Sequence, residues 1–222
     1  MNRFAIGLMA RAPSSPGKTR LAPHIDEARL RALREAFFAD ALLVVEAVPH
    51  VDPFVFVTPA DAAAEIGDRT RPSTIVLPQD GEDLGARMRH ALHVLLVGRE
   101  YDGAMLVGTD VPLLTVEHLQ EALTLLRTRG GVVLGPADDG GYYLIGMTGL
   151  NDAIFDRIAW GSDTVLLDTV AAAERQAIDL CLIRGAYDVD TINDLRRAER
   201  DVNDEPPGLA PHLREWLVRS TH

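Results

Sequence analysis

The chain has 222 residues, of which 47% are hydrophobic and 25% are charged, and its formal net charge at pH 7 is -11. This size suffices for one α/β core, so we predict one domain over residues 1–204 and a tail over residues 205–222. The excess of acids argues against binding to nucleic acid or to an anionic membrane surface, because both require a broad basic surface. Any anionic ligand must therefore be bound by a few local cations or by a metal.

Two further features bear on the compartment. The first apolar run, residues 4–10, is short and is followed by Arg11, which is not the pattern of a signal peptide or a membrane span. The single cysteine, Cys181, permits no internal disulfide, and its strand-like surroundings favour a small core residue over a nucleophile. We therefore expect a cytoplasmic protein.

Apolar runs rich in Val, Ile, Leu and Phe alternate with helical patterns along the chain. This alternation predicts an α/β fold with a Rossmann-like mixed, mostly parallel sheet and helices on both faces. The predicted strands cover residues 4–9, 53–57, 74–77, 104–107, 132–134 and 178–183, and another begins at Tyr142.

Three amphipathic patterns predict helices that cover this sheet. The first starts near Asp26 and continues to Val48, the second covers residues 84–95, and the third has Thr115 as its N-cap. After the break at residues 205–208, a short helix over residues 209–218 packs either on its own domain or on a neighbouring subunit, which leaves a homodimer open.

Lys18 is the only lysine among the 22 basic residues. It lies in a Pro- and Gly-rich loop after the first strand, where ligands of open parallel sheets bind. An ammonium is a compact point charge that fits between phosphate oxygens. A phosphate-loop structure is not expected, because Pro13 and Pro16 remove two backbone donors. We predict an extended loop whose Lys18 and Arg20 bind phosphates, with Arg11 as a further candidate.

Acidic residues at other strand ends suggest a metal site. Asp110 follows the fourth strand, whereas Asp188 and Asp190 alternate in a strand-like segment, so that only one of the two is expected to face Asp110. We select Asp190. Two carboxylates about 4 Å apart repel by roughly 4 kcal/mol at an effective dielectric constant of 20. The pair therefore favours Mg²⁺, with Mn²⁺ as a substitute, bound together with phosphate oxygens.

The remaining candidates lie in two loops on the same rim. In the first, Gln79 is a candidate for contact with a base or ribose, while Gly81 and Gly85 free the backbone and Arg87 reaches toward phosphate. In the second loop, the acids either bind the hydroxyl groups of an acceptor substrate or only form a polar turn before the next strand, and we weigh the two equally. The candidate acceptor-binding residues are Asp138, Asp139, Gly140, Gly141 and Tyr142.

In this order, the motifs resemble a bacterial family of glycosyltransferase-like proteins, the radical-SAM/selenodomain-associated transferases, and are similar to the 2-phospholactate and molybdenum-cofactor guanylyltransferases. The matching segments are Gly17-Lys-Thr-Arg-Leu-Ala-Pro23, Asp83-Leu-Gly-Ala-Arg-Met88, Gly108-Thr-Asp-Val-Pro112, Gly135-Pro-Ala-Asp-Asp-Gly-Gly-Tyr-Tyr-Leu-Ile-Gly146, Ala159-Trp-Gly-Ser162 and Asp188-Val-Asp-Thr191. The resemblance implies the nucleotide-diphospho-sugar transferase fold, which is glycosyltransferase A-like.

The same resemblance implies that Lys18 and Arg20 contact phosphates, that Asp110 and Asp190 bind the divalent metal, and that residues 139–141 face the acceptor. Many relatives are expected to have Lys at the position of Arg11.

Two reactions fit these residues and this resemblance. One is nucleotidyl transfer from a nucleoside triphosphate to a small phosphorylated or hydroxyl acceptor, which we prefer. The other is glycosyl transfer from a nucleotide sugar. A catalytically inactive nucleotide-binding regulatory domain is a third reading.

Overall fold

A computed structural model of the protein describes residues 2–219. Seven strands form one sheet in the order β3-β2-β1-β4-β6-β5-β7. All neighbouring strands are parallel except β6, which is antiparallel to both β4 and β5. The strands are β1 (Phe4–Arg11), β2 (Asp52–Thr58), β3 (Ile75–Pro78), β4 (Gly103–Gly108), β5 (Val132–Pro136), β6 (Tyr142–Met147) and β7 (Leu180–Leu182). The predicted mixed, mostly parallel sheet is therefore confirmed.

Within the described residues, seven α-helices connect or follow these strands. They are α1 (Glu27–Ala47), α2 (Ala63–Gly67), α3 (Leu84–His93), α4 (Val116–Thr128), α5 (Val165–Arg175), α6 (Ile192–Asp204) and α7 (Pro211–Arg219). A π-helical turn, Val94–Gly98, extends α3, and short 3-10 turns cover Ala60–Ala62 and Asp152–Phe155. None of the helices within residues 2–219 is long and apolar enough to cross a lipid bilayer.

The helices start where the sequence predicts. Asp26 caps α1 by accepting a hydrogen bond from the Arg29 backbone N–H at 2.9 Å, and Thr115 caps α4. Helices α1 and α4 bury one face of the sheet, whereas α3 and α5 bury the other. This arrangement leaves the loops at the carboxyl ends of the strands as the open rim of the domain.

The tail packs on its own domain. Asp40 of α1 accepts hydrogen bonds from the backbone N–H groups of His212 and Leu213 at 3.0 and 2.9 Å, and Leu213 and Trp216 are buried against α1 and α6. The last three residues of the predicted tail, 220–222, lie outside the described residues. The part of the tail up to residue 219 is thus an additional layer over the outer face of α1.

Candidate active site

A cavity of about 800 Å³ opens at the carboxyl ends of the central strands. It lies where β1 and β4 are neighbours but the chain leads from β1 toward one edge of the sheet and from β4 toward the other, which is the usual ligand position in such folds. Most of the predicted site residues line it: Arg11, Lys18, Arg20, Gln79, Arg87, Asp110, Asp139, Gly141, Tyr142 and Asp190.

Lys18 is at the centre of the cavity, between the two acids that the sequence assigns to a metal. Its Nζ is 2.8 Å from Asp110 Oδ2 and 3.1 Å from Asp190 Oδ1, and it donates to the Val189 carbonyl at 2.6 Å. Only 6% of the Lys18 side chain is exposed, whereas 45% of Asp110 and 47% of Asp190 are exposed. Both carboxylates therefore keep surface that is open to a ligand.

The charge on Lys18 is secured by this environment. Burial alone lowers the pKa of Lys18, but the Asp110 and Asp190 carboxylates outweigh it, so the pKa lies above its usual value. The ammonium consequently remains charged at neutral pH. The sequence predicts a phosphate contact for Lys18 and a metal for the two acids, but in this structure Lys18 forms ion pairs with both acids.

Arg34 of α1 fixes the position of the loop that carries Lys18 through hydrogen bonds to its backbone. The buried guanidinium donates to the carbonyls of Pro13 and Gly17 at 3.0 and 3.4 Å and pairs with Glu27 at 2.7 Å. Lys18 itself has a φ of 56°, which L-residues rarely adopt. Arg34 therefore acts as a positioning residue for this loop.

Replacing Arg34 with methionine should lower the free energy of unfolding by about 1 to 3 kcal/mol, because two loop carbonyls would lose their donor. Urea unfolding measures this effect. Arg31→Met, on the same helix with only an exposed pair to Glu35, is the matched control and should change stability by less than about 0.5 kcal/mol. Equal destabilisation of the two variants would contradict the positioning role.

Asp188 also lines the cavity, contrary to the sequence prediction that only one of Asp188 and Asp190 faces Asp110. That prediction assumed that residues 188–190 form a strand, in which successive side chains point to opposite faces of the sheet. These residues form no strand, so the alternation does not apply to them. Instead, the Val189 N–H donates to the Asp110 carbonyl at 3.1 Å and brings the segment onto β4. Burial, followed by the charges of Asp139, Asp190 and Asp110, raises the pKa of Asp188 to about 7.

The oxygens around Lys18 fit a hard divalent cation. Asp188 Oδ1 is buried and has no hydrogen-bond partner, and it lies beside the two half-exposed carboxylates. Within residues 2–219, no three His, Cys, Asp or Glu side chains are arranged as a complete metal site. Mg²⁺ nevertheless needs only one or two carboxylates when substrate phosphates supply further ligands. Asp110 and Asp190 meet that requirement once Lys18 moves aside.

Three guanidinium groups around the cavity are available for anions. Arg11, Arg20 and Arg87 line it, and within the described part of the chain none of them has a carboxylate within 4.0 Å in an ion pair. Arg87 is oriented by a 3.0 Å hydrogen bond from its Nε to the Gly81 carbonyl. In a chain with a net charge of -11, this grouping of unpaired cations indicates an anionic ligand.

Gln79 lines the cavity and also forms hydrogen bonds that connect two strands of the sheet. Its Nε2 donates to the carbonyls of Ala10 and Phe56 at 2.9 and 2.8 Å, so it joins the ends of β1 and β2. Only its side-chain oxygen remains for contact with a base or ribose.

Four predicted site residues do not line the cavity. Asp138 points to Arg197 of α6, with an ion-pair distance of 2.7 Å. Gly81, Gly85 and Gly140 instead allow close packing. A Cβ at Gly140, where φ is 87°, would lie 2.0 Å from the Asp163 carbonyl oxygen. These glycines therefore shape the cavity without facing it.

Sequence reasoning assigned no role to Trp160 and Asp163, which also line the cavity. The Trp160 ring lies against the backbone of Gly85, where a Cβ would be 2.1 Å from its Cε2. The ring also meets Tyr142 edge to face and stacks on Phe155. The Ala-Trp-Gly-Ser motif marks Trp160 in the sequence. Its contact with Gly85 was not predicted, because the two residues lie far apart in the chain.

Solved structures share this fold. The chain is 31% identical to a protein of Desulfovibrio desulfuricans G20 described provisionally as a nucleotide-diphospho-sugar transferase, with a TM-score of 0.87 over 97% of this chain and 95% of that one. It is 12% identical to 4-diphosphocytidyl-2C-methyl-D-erythritol synthase of Anaerococcus prevotii DSM 20548, with a TM-score of 0.60 over 90% and 99% of the two chains. The predicted fold is thus confirmed.

A third neighbour is CMP:2-keto-3-deoxy-manno-octonic acid synthetase complexed with CTP. It is 13% identical, with a TM-score of 0.54 over 92% of this chain and 100% of that one. The description of the 31% identical neighbour supports the prediction that the chain is a transferase. No curated protein matches the chain.

The family model for uncharacterized proteins conserved in bacteria (DUF2064) matches residues 41–162, which is more than half of the chain. This segment includes Asp110, the turn at residues 138–141 and Trp160. Lys18 and Asp190 lie outside it, on either side. The chain therefore belongs to the family DUF2064.

Proposed function

We propose that the protein is a Mg²⁺-dependent transferase that uses a nucleotide donor, and that it transfers a nucleotidyl group from a nucleoside triphosphate to a small acceptor. The observation that carries the proposal is the Lys18 centre, in which the buried ammonium lies between the half-exposed carboxylates of Asp110 and Asp190. Three unpaired guanidinium groups line the same cavity. This arrangement suits a ligand that brings both phosphates and a metal. Such a ligand would exchange the internal ion pairs of Lys18 for pairs with phosphate oxygens.

The residues have separate tasks in this proposal. Arg11, Arg20 and Arg87 would bind the donor phosphates, and Lys18 would move from the carboxylates to the phosphates. Asp110 and Asp190 would then hold Mg²⁺, which would neutralise charge on the reacting phosphate and the leaving group. Positioning and electrostatics would supply most of the rate, so that no covalent nucleophile is required.

The proposed reaction is an in-line displacement. An acceptor oxygen forms a bond to the α-phosphorus, and the bond between that phosphorus and the bridging oxygen to the β-phosphate breaks. Pyrophosphate leaves, and a hydroxyl acceptor loses its proton to solvent or to a cavity carboxylate. The CTP named with one structural neighbour and the cytidylyl chemistry named for another support this choice of donor. We also propose that the protein is related to the radical-SAM/selenodomain-associated transferases and the guanylyltransferases, which its sequence motifs resemble.

The second candidate is glycosyl transfer, and the 31% identical neighbour favours it because its description names a nucleotide-diphospho-sugar transferase. Here the acceptor oxygen would attack the anomeric carbon, and the nucleoside diphosphate would leave with the bonding electrons. The same Lys18 centre would hold the diphosphate in both reactions. The donor class is therefore the discriminating observation.

Melting curves with nucleoside triphosphates and with nucleotide sugars test the donor class. A ligand at about 100 times its dissociation constant adds roughly 2.7 kcal/mol, which should raise the midpoint of this chain by roughly 5 to 10 °C. We expect a triphosphate to produce this shift with Mg²⁺ and to lose it with a chelator.

Product analysis completes the test. Pyrophosphate release from the stabilising triphosphate, when an acceptor is added, supports nucleotidyl transfer. Stabilisation by a nucleotide sugar alone, with release of nucleoside diphosphate, would replace that reaction by glycosyl transfer. Binding without turnover of either donor class would favour the regulatory domain. A midpoint unmoved by both classes would refute the nucleotide site.

A further inference from the structure

The cavity carries opposite charges at its two ends. The unpaired guanidinium groups belong to Arg11 at the end of β1, Arg20 in the following loop and Arg87 of α3, on the side of the sheet that leads to β3. Three carboxylates lie on the other side, above the β5–β6 hairpin: Asp139, Asp163 and Asp188. We call these two groups the arginine end and the acidic end, with the Lys18 centre between them.

The acidic end is a compact structure rather than a run of surface charges. The turn that carries Asp139 joins the segment before Asp188 through a 3.0 Å hydrogen bond from the Asp138 N–H to the Ala186 carbonyl. The Asp163 backbone lies directly against Gly140 of the same turn. Hence segments from three parts of the chain bring their carboxylates to one end of the cavity.

The acidic end has no cation of its own. Within residues 2–219, none of Asp139, Asp163 and Asp188 has a basic group within 4.0 Å in an ion pair. Their neighbour Asp138 is different, because it pairs with Arg197 outside the cavity. Five basic side chains line the cavity, and all come from β1, the loop that follows it, α1 or α3: Arg11, Lys18, Arg20, Arg34 and Arg87.

Trp160 and Tyr142 form an aromatic wall at this end. Their rings meet edge to face with centroids 6.5 Å apart, and both residues line the cavity. Aromatic rings offer apolar contact to the carbon skeleton of a ligand, while carboxylates accept hydrogen bonds from hydroxyl or amino groups. The wall and the three carboxylates are therefore suited to a ligand with both kinds of surface.

We propose that the acidic end is the acceptor subsite and that the acceptor is a hydroxyl compound without an anionic group. This inference rests on the proposed function and narrows it, because it selects hydroxyl over phosphorylated acceptors. The acceptor oxygen would form its bond to the donor at the Lys18 centre, and its proton would leave to solvent or to a carboxylate of the subsite. A phosphate or carboxylate on the acceptor would face three acids, none of which has an ion-pair partner within residues 2–219.

Pairs of compounds that differ by one phosphate test this inference. The probes are glucose and glucose 1-phosphate, glycerol and glycerol 3-phosphate, and glucosamine and glucosamine 6-phosphate, so that neutral and cationic hydroxyl compounds are separated and every phosphorylated probe keeps free hydroxyl groups. Inorganic pyrophosphate with Mg²⁺ fills the arginine end, which avoids any choice of nucleobase. A Trp216→Phe background leaves Trp160 as the only tryptophan. The change in its fluorescence when a probe is added to the pyrophosphate-saturated protein reports binding of the probe beside Trp160.

We expect at least one unphosphorylated probe to change Trp160 fluorescence saturably and its phosphorylated partner to bind about tenfold or more weakly. The Asp139→Asn/Asp163→Asn variant should reduce this difference to less than about threefold. Asparagine at position 139 keeps an oxygen acceptor for the Gly141 N–H. Asp138→Asn/Asp179→Asn is the matched control, since it also removes two negative charges but replaces acids that pair with Arg197 and Arg129 outside the cavity, and it should leave the difference unchanged.

The inference is overturned if a phosphorylated probe binds as tightly as its partner, if no unphosphorylated probe binds, or if the double variant leaves the difference intact. Pyrophosphate binding is measured separately by calorimetry. A protein that does not bind pyrophosphate with Mg²⁺ would refute the phosphate and metal site of the proposed function, whereas one that binds it and prefers phosphorylated acceptors would refute only the acceptor class.

Discussion

Replacement of Asp110 by asparagine should lower turnover at least about 100-fold, because the proposed metal would lose one of its two protein carboxylates. Asp190→Asn should have a similar effect, since the two carboxylates face the same point from β4 and from the start of α6. Turnover of the stabilising donor at saturating Mg²⁺ measures the loss. Calorimetry with Mn²⁺ and nucleotide shows whether binding is lost with it.

The control for these variants is Asp179→Asn, which changes net charge equally but replaces an exposed acid paired with Arg129 outside the cavity. Its turnover should match that of the parent. The melting midpoints of all variants report whether the fold is retained. Unchanged metal-dependent affinity and turnover in both Asp110→Asn and Asp190→Asn would remove the metal assignment.

Replacement of Lys18 by methionine should produce two opposite changes. Nucleotide affinity should fall about 10- to 150-fold, which corresponds to the 1.5 to 3 kcal/mol of a hydrogen bond to a charged group. Affinity for Mn²⁺ without nucleotide should rise, because Asp110 and Asp190 lose the ammonium that lies between them. Methionine has a length similar to that of lysine, so the change removes charge with little change in volume.

Lys18→Arg separates charge from shape. It should restore part of the nucleotide affinity, since the guanidinium keeps the charge but imposes a planar geometry. Calorimetric titrations of the three proteins with nucleotide, and with Mn²⁺ alone, give both quantities. If Lys18→Met bound nucleotide as tightly as the parent, Lys18 would have no part in donor binding. If its Mn²⁺ affinity did not change, the ammonium and the metal would not share the two carboxylates.

The sheet was predictable because its signals are local. The apolar runs at residues 4–9 and 104–107 became β1 and β4, and the caps at Asp26 and Thr115 begin α1 and α4. The rule that ligands bind at the carboxyl ends of parallel strands then placed Lys18 and Asp110 at one cavity. These predictions needed only hydrophobic periodicity and chain direction.

The contacts inside the cavity were less predictable because they depend on irregular backbone. The position of Lys18 depends on a left-handed φ and on Arg34, which is 16 positions further along the chain. Asp188 was assigned to the wrong face because strand alternation was applied to a segment without a strand ladder. The position of Trp160 in the aromatic wall depends on its packing against Gly85, and no local sequence pattern predicts this contact.

The most direct test of the Lys18 centre is a titration of the parent protein with Mn²⁺, monitored by electron paramagnetic resonance, with and without the nucleotide that stabilises it. Only weak binding is expected without nucleotide, because the Lys18 ammonium lies between Asp110 and Asp190 and pairs with both carboxylates. With nucleotide, Mn²⁺ should bind at least about tenfold more tightly than to nucleotide alone, since the two carboxylates add to the phosphate ligands. Binding of Mn²⁺ no tighter than to the free nucleotide would contradict the account.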